Sequence, residues 1–221
     1  MKDFDLIQSL IGTGVTENEL QHVDCYVHKN LGLFIPSMGK CGYAAKIGHT
    51  HPSYMFTVIF SQDGLKDEPQ ICEPQIEIEQ NHYLAAALSP EVPHTDFSSD
   101  FLHYYCILIE KNYFESQYKM YTNERPDFFW RQFALCADIL KTLNSFAFEY
   151  SKNMTNADVT LSAQVTLITH WIIRSLLGEN SDLRSISSNY TMARLQHYIE
   201  QHFGEPLTQT TLAQTAHISN S

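Results

Sequence analysis

At 221 residues with a formal net charge of −11, the chain is long enough for one or two domains and too acidic to grip a phosphate backbone by itself. Its 43% apolar and 12% aromatic content supplies ample material for a buried core and excludes a disordered chain. No stretch reaches the roughly 18 uninterrupted apolar residues of a membrane helix, and Met1 to Leu10, carrying Lys2, Asp3 and Asp5, has no apolar run of the export type behind it.

In chain order, residues 1 to about 110 read as short strands separated by turn signals. CYVHK at 25–29 and LGLFI at 31–35 are expected to pair, with loops around 37–42 and 62–69. The sharpest strand is Tyr54 to Phe60, with Tyr54, Phe56, Val58 and Phe60 on one face and Met55, Thr57 and Ile59 on the other. Both faces are largely apolar, so this strand belongs inside a layered or closed sheet. Ile71, with Ile76 and Ile78 alternating against Glu77 and Glu79, predicts a half-exposed strand; Tyr83–Leu88 and Leu102–Ile109 follow as two more. Six to eight such strands fit a jelly roll.

Two short segments flank these strands. Gly48-His49-Thr50-His51 precedes the buried strand, and Pro90-Glu91-Val92-Pro93-His94 follows a later one. The pair resembles the cupin barrel, which places an HxH on one strand and a further His on a partner so that three imidazoles converge at the barrel mouth. Cupin enzymes usually add a Glu three or four residues beyond the HxH; here Met55 and Phe56 stand there, so the carboxylate of a facial metal site is missing. His49, His51 and His94 are accordingly candidate ligands for zinc or another divalent ion, since imidazole is the commonest side-chain metal ligand. They serve equally as effector contacts, or as groups that merely hydrogen-bond the loops at the barrel mouth. Tyr54, Phe56 and Tyr83 complete the candidate effector-binding set with those three histidines.

Residues 125 to 178 change period. Pro126 suits a first helical position, and Phe129, Phe133, Cys136, Leu140, Leu143 and Ala147 recur at threes and fours, predicting a helix to about Tyr150. At about 1.5 Å per residue it would run about 37 Å. A short Asn- and Thr-rich connection at 152–158 returns the next helix antiparallel. That helix carries Leu161, Val165, Ile168, Ile172 and Leu176, with Leu167, Trp171, Ile173 and Leu177 on other faces, and so needs a second neighbour, the barrel or another subunit. The Ser- and Asn-rich residues 179–190 have the composition of a linker.

Beyond it, Met192, Leu195, Ile199 and Phe203 form one apolar helix face, and Gly204 followed by Pro206 ends that helix. A second helix opens at Thr208, whose hydroxyl can cap it, and carries Leu212, Ala213 and Ala216; Ser219 would cap a third, before which the chain stops at Ser221. Leu195, Tyr198, Ile199, Phe203, Pro206, Leu207, Leu212, Ala213, Ala216 and Ser219 are spaced like the opening of the first DNA-binding helix-turn-helix of the AraC/XylS transcriptional regulators, and the chain resembles that family. The family's sensor barrel is similar too, with an HxH before a strand and a Pro-x-x-Pro-His after another.

The expected fold is therefore α+β: a cupin-like jelly-roll barrel over 1–122, an antiparallel helical dimerisation pair over 123–178, a linker at 179–190 and a truncated helix-turn-helix domain over 191–221. The resemblance implies a non-enzymatic homodimer that senses a small molecule and binds DNA through the missing part. No catalytic residue is expected. All five arginines lie at or beyond Arg125, so the barrel half lacks the planar fork that grips carboxylates or phosphates; its many rings suit a neutral effector. Five cysteines at 25, 41, 72, 106 and 136 without a CxxC pair read as the reduced thiols of a cytoplasmic protein. The competing expectations are a metal-dependent cupin oxygenase or isomerase, and a ligand-binding cupin that meets only protein partners.

Overall fold

The computed structural model describes residues 3–36, 48–59, 82–94, 104–152 and 154–178, together with 199, 208 and 210–212. The expected strand with Ile71, Ile76 and Ile78, the loops at 37–42 and 62–69, the linker and most of 191–219 lie outside the described residues. The chain divides into two compact units, 1–177 and 178–221.

The first unit is α+β, built on a six-stranded antiparallel sheet among the described residues. Its strands are β1 (Val23–His28), β2 (Leu31–Pro36), β3 (Tyr54–Ile59), β4 (His82–Leu88), β5 (Tyr104–Ile109) and β6 (Arg131–Cys136), lying side by side in the order β1-β2-β5-β3-β4-β6. β1 and β2 form the expected hairpin through a two-residue turn, Lys29 taking the left-handed conformation at φ 48°. β3 pairs on both sides, with β5 and β4, and every one of its six residues is buried, as its two apolar faces require.

Alternation along β3 divides the core. Tyr54, Phe56 and Val58 join a cluster with Leu143, Phe146, Ile168 and Ile172 from the helices α3 (Asp138–Lys152) and α4 (Ala157–Leu176). Met55 and Ile59 join the opposite cluster with Ile7, Leu10 and Ile11 of α1 (Phe4–Ile11). A fourth helix, α2 (Lys111–Tyr118), is capped by Glu110, whose carboxylate accepts from the amides of Asn112 and Tyr113. Its Phe114 packs on Tyr54 and Phe56.

α4 straps the sheet. Near its start, Ser162 bonds His28 and Lys29 at the β1–β2 turn; at its end, the Leu176 carbonyl accepts from Arg131 of β6. These are the two outermost strands among the described residues, about 24 Å apart if six strands are spaced at ~4.8 Å. A 20-residue helix runs about 30 Å, enough to cross that width. This crossing explains the excess of apolar positions on α4: Ile173 is buried and Trp171 and Leu177 are packed against the sheet's core, while Val159 and Leu167 stay exposed.

Three expectations are corrected. The long helix from Pro126 does not form; 131–136 is strand β6, paired with β4 from His82↔Cys136 to Ala87↔Arg131, and the helix begins only at Asp138. Trp130 at φ 51° breaks the backbone out of helix, and Phe133 and Leu135 alternate into the core against β4. The short helix α1 stands in the stretch 1 to about 110 that reads wholly as strands, and α2 follows at 111–118, where no element is expected. Finally, Arg131 lies on the sheet itself, although its guanidinium is engaged by the Leu176 carbonyl and the Phe128 ring.

Candidate functional site

The β3–β4 ladder continues past its named ends. Met55 faces Leu88, and the same register carried six residues further along each strand brings His49 opposite His94 as an isolated antiparallel bridge. The His94 amide donates to the His49 carbonyl at 3.0 Å, and the Glu91 amide to the His51 carbonyl at 2.8 Å. Residues directly opposite in an antiparallel pair project to the same side, as do residues two apart on one strand. Three imidazoles therefore meet. Ring centroids are 4.3 Å apart for His49 and His94, 4.9 Å for His51 and His94, and 5.1 Å for His49 and His51. One ring nitrogen from each lies within 4.8 Å of the others.

The tautomers of two rings follow from their partners. His51 Nδ1 sits 2.9 Å from the Ile11 carbonyl, and His94 Nδ1 sits 2.9 Å from the Val92 carbonyl. A carbonyl only accepts, so both Nδ1 atoms carry the proton and donate, and in each neutral ring the lone pair lies on Nε2. Nε2 of His49 and of His94 is buried, and His51 is 4% exposed.

The Ile11 carbonyl belongs to the last residue of α1, one of the acceptors that a helix end leaves without an intrahelical donor. His51 satisfies it. Gly12 then leaves the helix at φ 128°, and a Cβ there would come within 3.9 Å of Pro52 and the Thr50 carbonyl, so α1 ends directly against the HxH segment. Sequence reasoning missed this neighbour. Its signal was present in the spacing of Ile7, Leu10 and Ile11 followed by Gly12, the usual residue just past a helix end.

The six candidate effector residues do not line one site. His49, His51 and His94 converge on the α1 side of the sheet, whereas Tyr54 and Phe56 are core residues on the face covered by α2, α3 and α4. Tyr83, half-buried on β4 opposite Leu135, packs against that same helix-covered core. Met55 and Phe56, at the positions where cupin enzymes carry a carboxylate, are both buried, and the Glu91 carboxylate accepts from the Thr50 hydroxyl at 3.3 Å. In comparisons with protein-family models, curated proteins and solved structures, nothing matches this chain.

Proposed function

We propose that this chain is the sensing and dimerisation part of a ligand-responsive, cytoplasmic transcriptional regulator that resembles the AraC/XylS type, with a cupin-like barrel completed around the six-stranded sheet. The observation that carries the reading is the start of a helix in the second unit. Thr208 accepts the Thr211 amide on its hydroxyl at 3.1 Å, and the Leu212 amide reaches the Thr208 carbonyl at 3.0 Å. That is the N-cap at which the helix-turn-helix pattern opens its second helix. Ile199, on the preceding apolar stripe, is helical as well. The unit begins at Gly178, where a tether between sensor and reader is expected, so a ligand that favours one arrangement of the two alters DNA binding.

Homodimerisation through α3 and α4 belongs to the same reading, supported by Phe148, Met154, Val159 and Leu167 remaining exposed there. The histidine triad supports a second reading, a metal-dependent cupin oxygenase or isomerase; the buried Met55 and Phe56 weigh against it.

The test is selection of random DNA duplexes by the full-length natural polypeptide that contains this chain. Enrichment of a repeated half-site, bound with steep salt dependence, is the expected result. Recovery of no preferred sequence would remove the regulator reading and leave the enzyme reading in front.

A further inference from the structure

We infer that His49, His51 and His94 form a three-imidazole site for a divalent transition ion of the zinc class, and that its loading pins helix α1 to the sheet. The triad collects one nitrogen from each ring within 4.8 Å, and no carboxylate joins them among the described residues. Neutral imidazoles alone suit zinc, copper, iron or nickel, and not calcium or magnesium, which take oxygen ligands. Tetrahedral zinc with bonds of 2.0–2.1 Å sets its ligand nitrogens about 3.3 Å apart, so on loading no pair of nitrogens, all within 4.8 Å of one another, closes by more than about 1.5 Å. A movement of that size is a small side-chain rotation.

Two of the ligand atoms are already defined. With Nδ1 donating to the carbonyls of Val92 and Ile11, His94 and His51 present Nε2 to the ion. A metal-bound histidine almost always donates its other ring nitrogen in this way, which fixes the ring and raises its basicity. Three protein ligands leave a tetrahedral ion one open position, for water or for a small ligand atom.

The second carbonyl couples the site to the fold. Ile11 ends α1, whose Ile7 and Leu10 are buried against the sheet, so a ring held by the ion is also held by the helix end. Undocking α1 breaks the His51 bond, and loading the ion resists the undocking. The ion then serves as the signal of the sensor proposed above, a role that rests on that reading, whereas binding itself does not.

The experiment uses the full chain, stripped with a chelator and titrated with Co²⁺ as a coloured probe and then with Zn²⁺. Visible absorption saturating at one Co²⁺ per chain and bleached by Zn²⁺ is expected. His49→Ala and His94→Ala should each weaken binding by at least about 100-fold, since even loss of an outer partner costs 10–100-fold, while His22→Ala should leave it unchanged. Circular dichroism of each variant separates loss of a ligand from loss of fold. In the unaltered chain, hydrogen exchange of the Gly12 amide, bonded to Gln8 at 2.8 Å, reports α1 directly. At zinc 100 times its dissociation constant, exchange through an opening that breaks the site should slow about 100-fold.

No saturable binding, or binding indifferent to both folded histidine variants, overturns the site; zinc binding with unaltered α1 exchange overturns the coupling. A failed DNA selection with intact zinc binding would strike the regulator reading alone.

Discussion

Tyr54 is 2% exposed, yet its hydroxyl faces two acceptors, the Pro126 carbonyl at 2.9 Å and the Glu115 carboxylate at 3.2 Å. Burial, and then the Glu115 charge, hold the phenol far above its ordinary range, so it stays a donor at any physiological pH. Tyr54→Phe keeps the ring against Phe114 and Phe128 and removes that donor. The expected loss is about 1–2 kcal/mol in urea unfolding, the cost of a buried carbonyl left unsatisfied. A change within about 0.5 kcal/mol, as for an ordinary surface substitution, would mean that water replaces the hydroxyl. This residue also marks how far side chains can be read in advance. Alternation shows that Tyr54 and Phe56 share a face and that His51 and Met55 share the other, but the spacing does not say which face meets the helices. The cluster of three rings was legible because its nitrogens belong to side chains in short, recognisable segments. The Ile11 carbonyl was not, because a backbone acceptor is the same in every residue and only Gly12 marks the helix end.

Helical and strand periods overlap most where an apolar segment is short, and β6 is the case here. Phe133, Cys136, Leu140 and Leu143 fit a helix, yet Phe133 and Leu135 equally fit a strand; the free edge of β4 decides in favour of the strand. α1 and α2 have eight residues each, too few to be stable alone, and exist because they dock on the sheet or on α4. α4, by contrast, was legible from its full length of apolar positions. Its polar face carries a pH dependence that those positions do not reveal. His170 accepts from the Tyr121 hydroxyl on Nδ1 at 2.6 Å and donates from Nε2 to Gln117 at 3.1 Å, a pattern that the neutral ring fulfils. Burial, followed by Arg174, lowers its pKa; burial lowers that of His28 as well, against the opposing pull of Asp158. With folded values below the ordinary ~6.5, the unfolded chain binds more protons as the solution is acidified. Their contribution to stability is therefore complete above about pH 6.5 and is lost as pH falls toward the folded values. Denaturant midpoints should drop between pH 7.5 and 5.5, and the His28→Gln/His170→Gln double variant should show a shallower drop. An equal drop in both proteins would assign the effect elsewhere.

Assembly depends on surface that no single helix defines. Within the first unit, α4 crosses the sheet from β1 to β6, so most of the apolar excess that the sequence places on this helix is spent inside one chain. Periodicity revealed the excess but could not say whether the sheet or a second chain takes it, because that choice rests on pairings as distant as His28 with Ser162. What remains outside is smaller: Val159 at 69%, Phe148 at 56%, Met154 at 54% and Leu167 at 48% exposure, spread over α3, α4 and their connection. A stable two-fold contact buries roughly 1,200–2,000 Å² in total, with a well-packed apolar centre and a polar rim. Four large apolar side chains from each copy can provide such a centre. Light scattering at tens of micromolar should therefore return twice the chain mass. Val159→Glu/Leu167→Glu places a charge at two of these positions on each copy and should shift the protein to monomer with its helical content unchanged, since neither side chain contributes to the core. A monomer mass for the unaltered chain would mean that these residues are ordinary scattered surface apolars, and dimerisation through this helical pair would have to be abandoned.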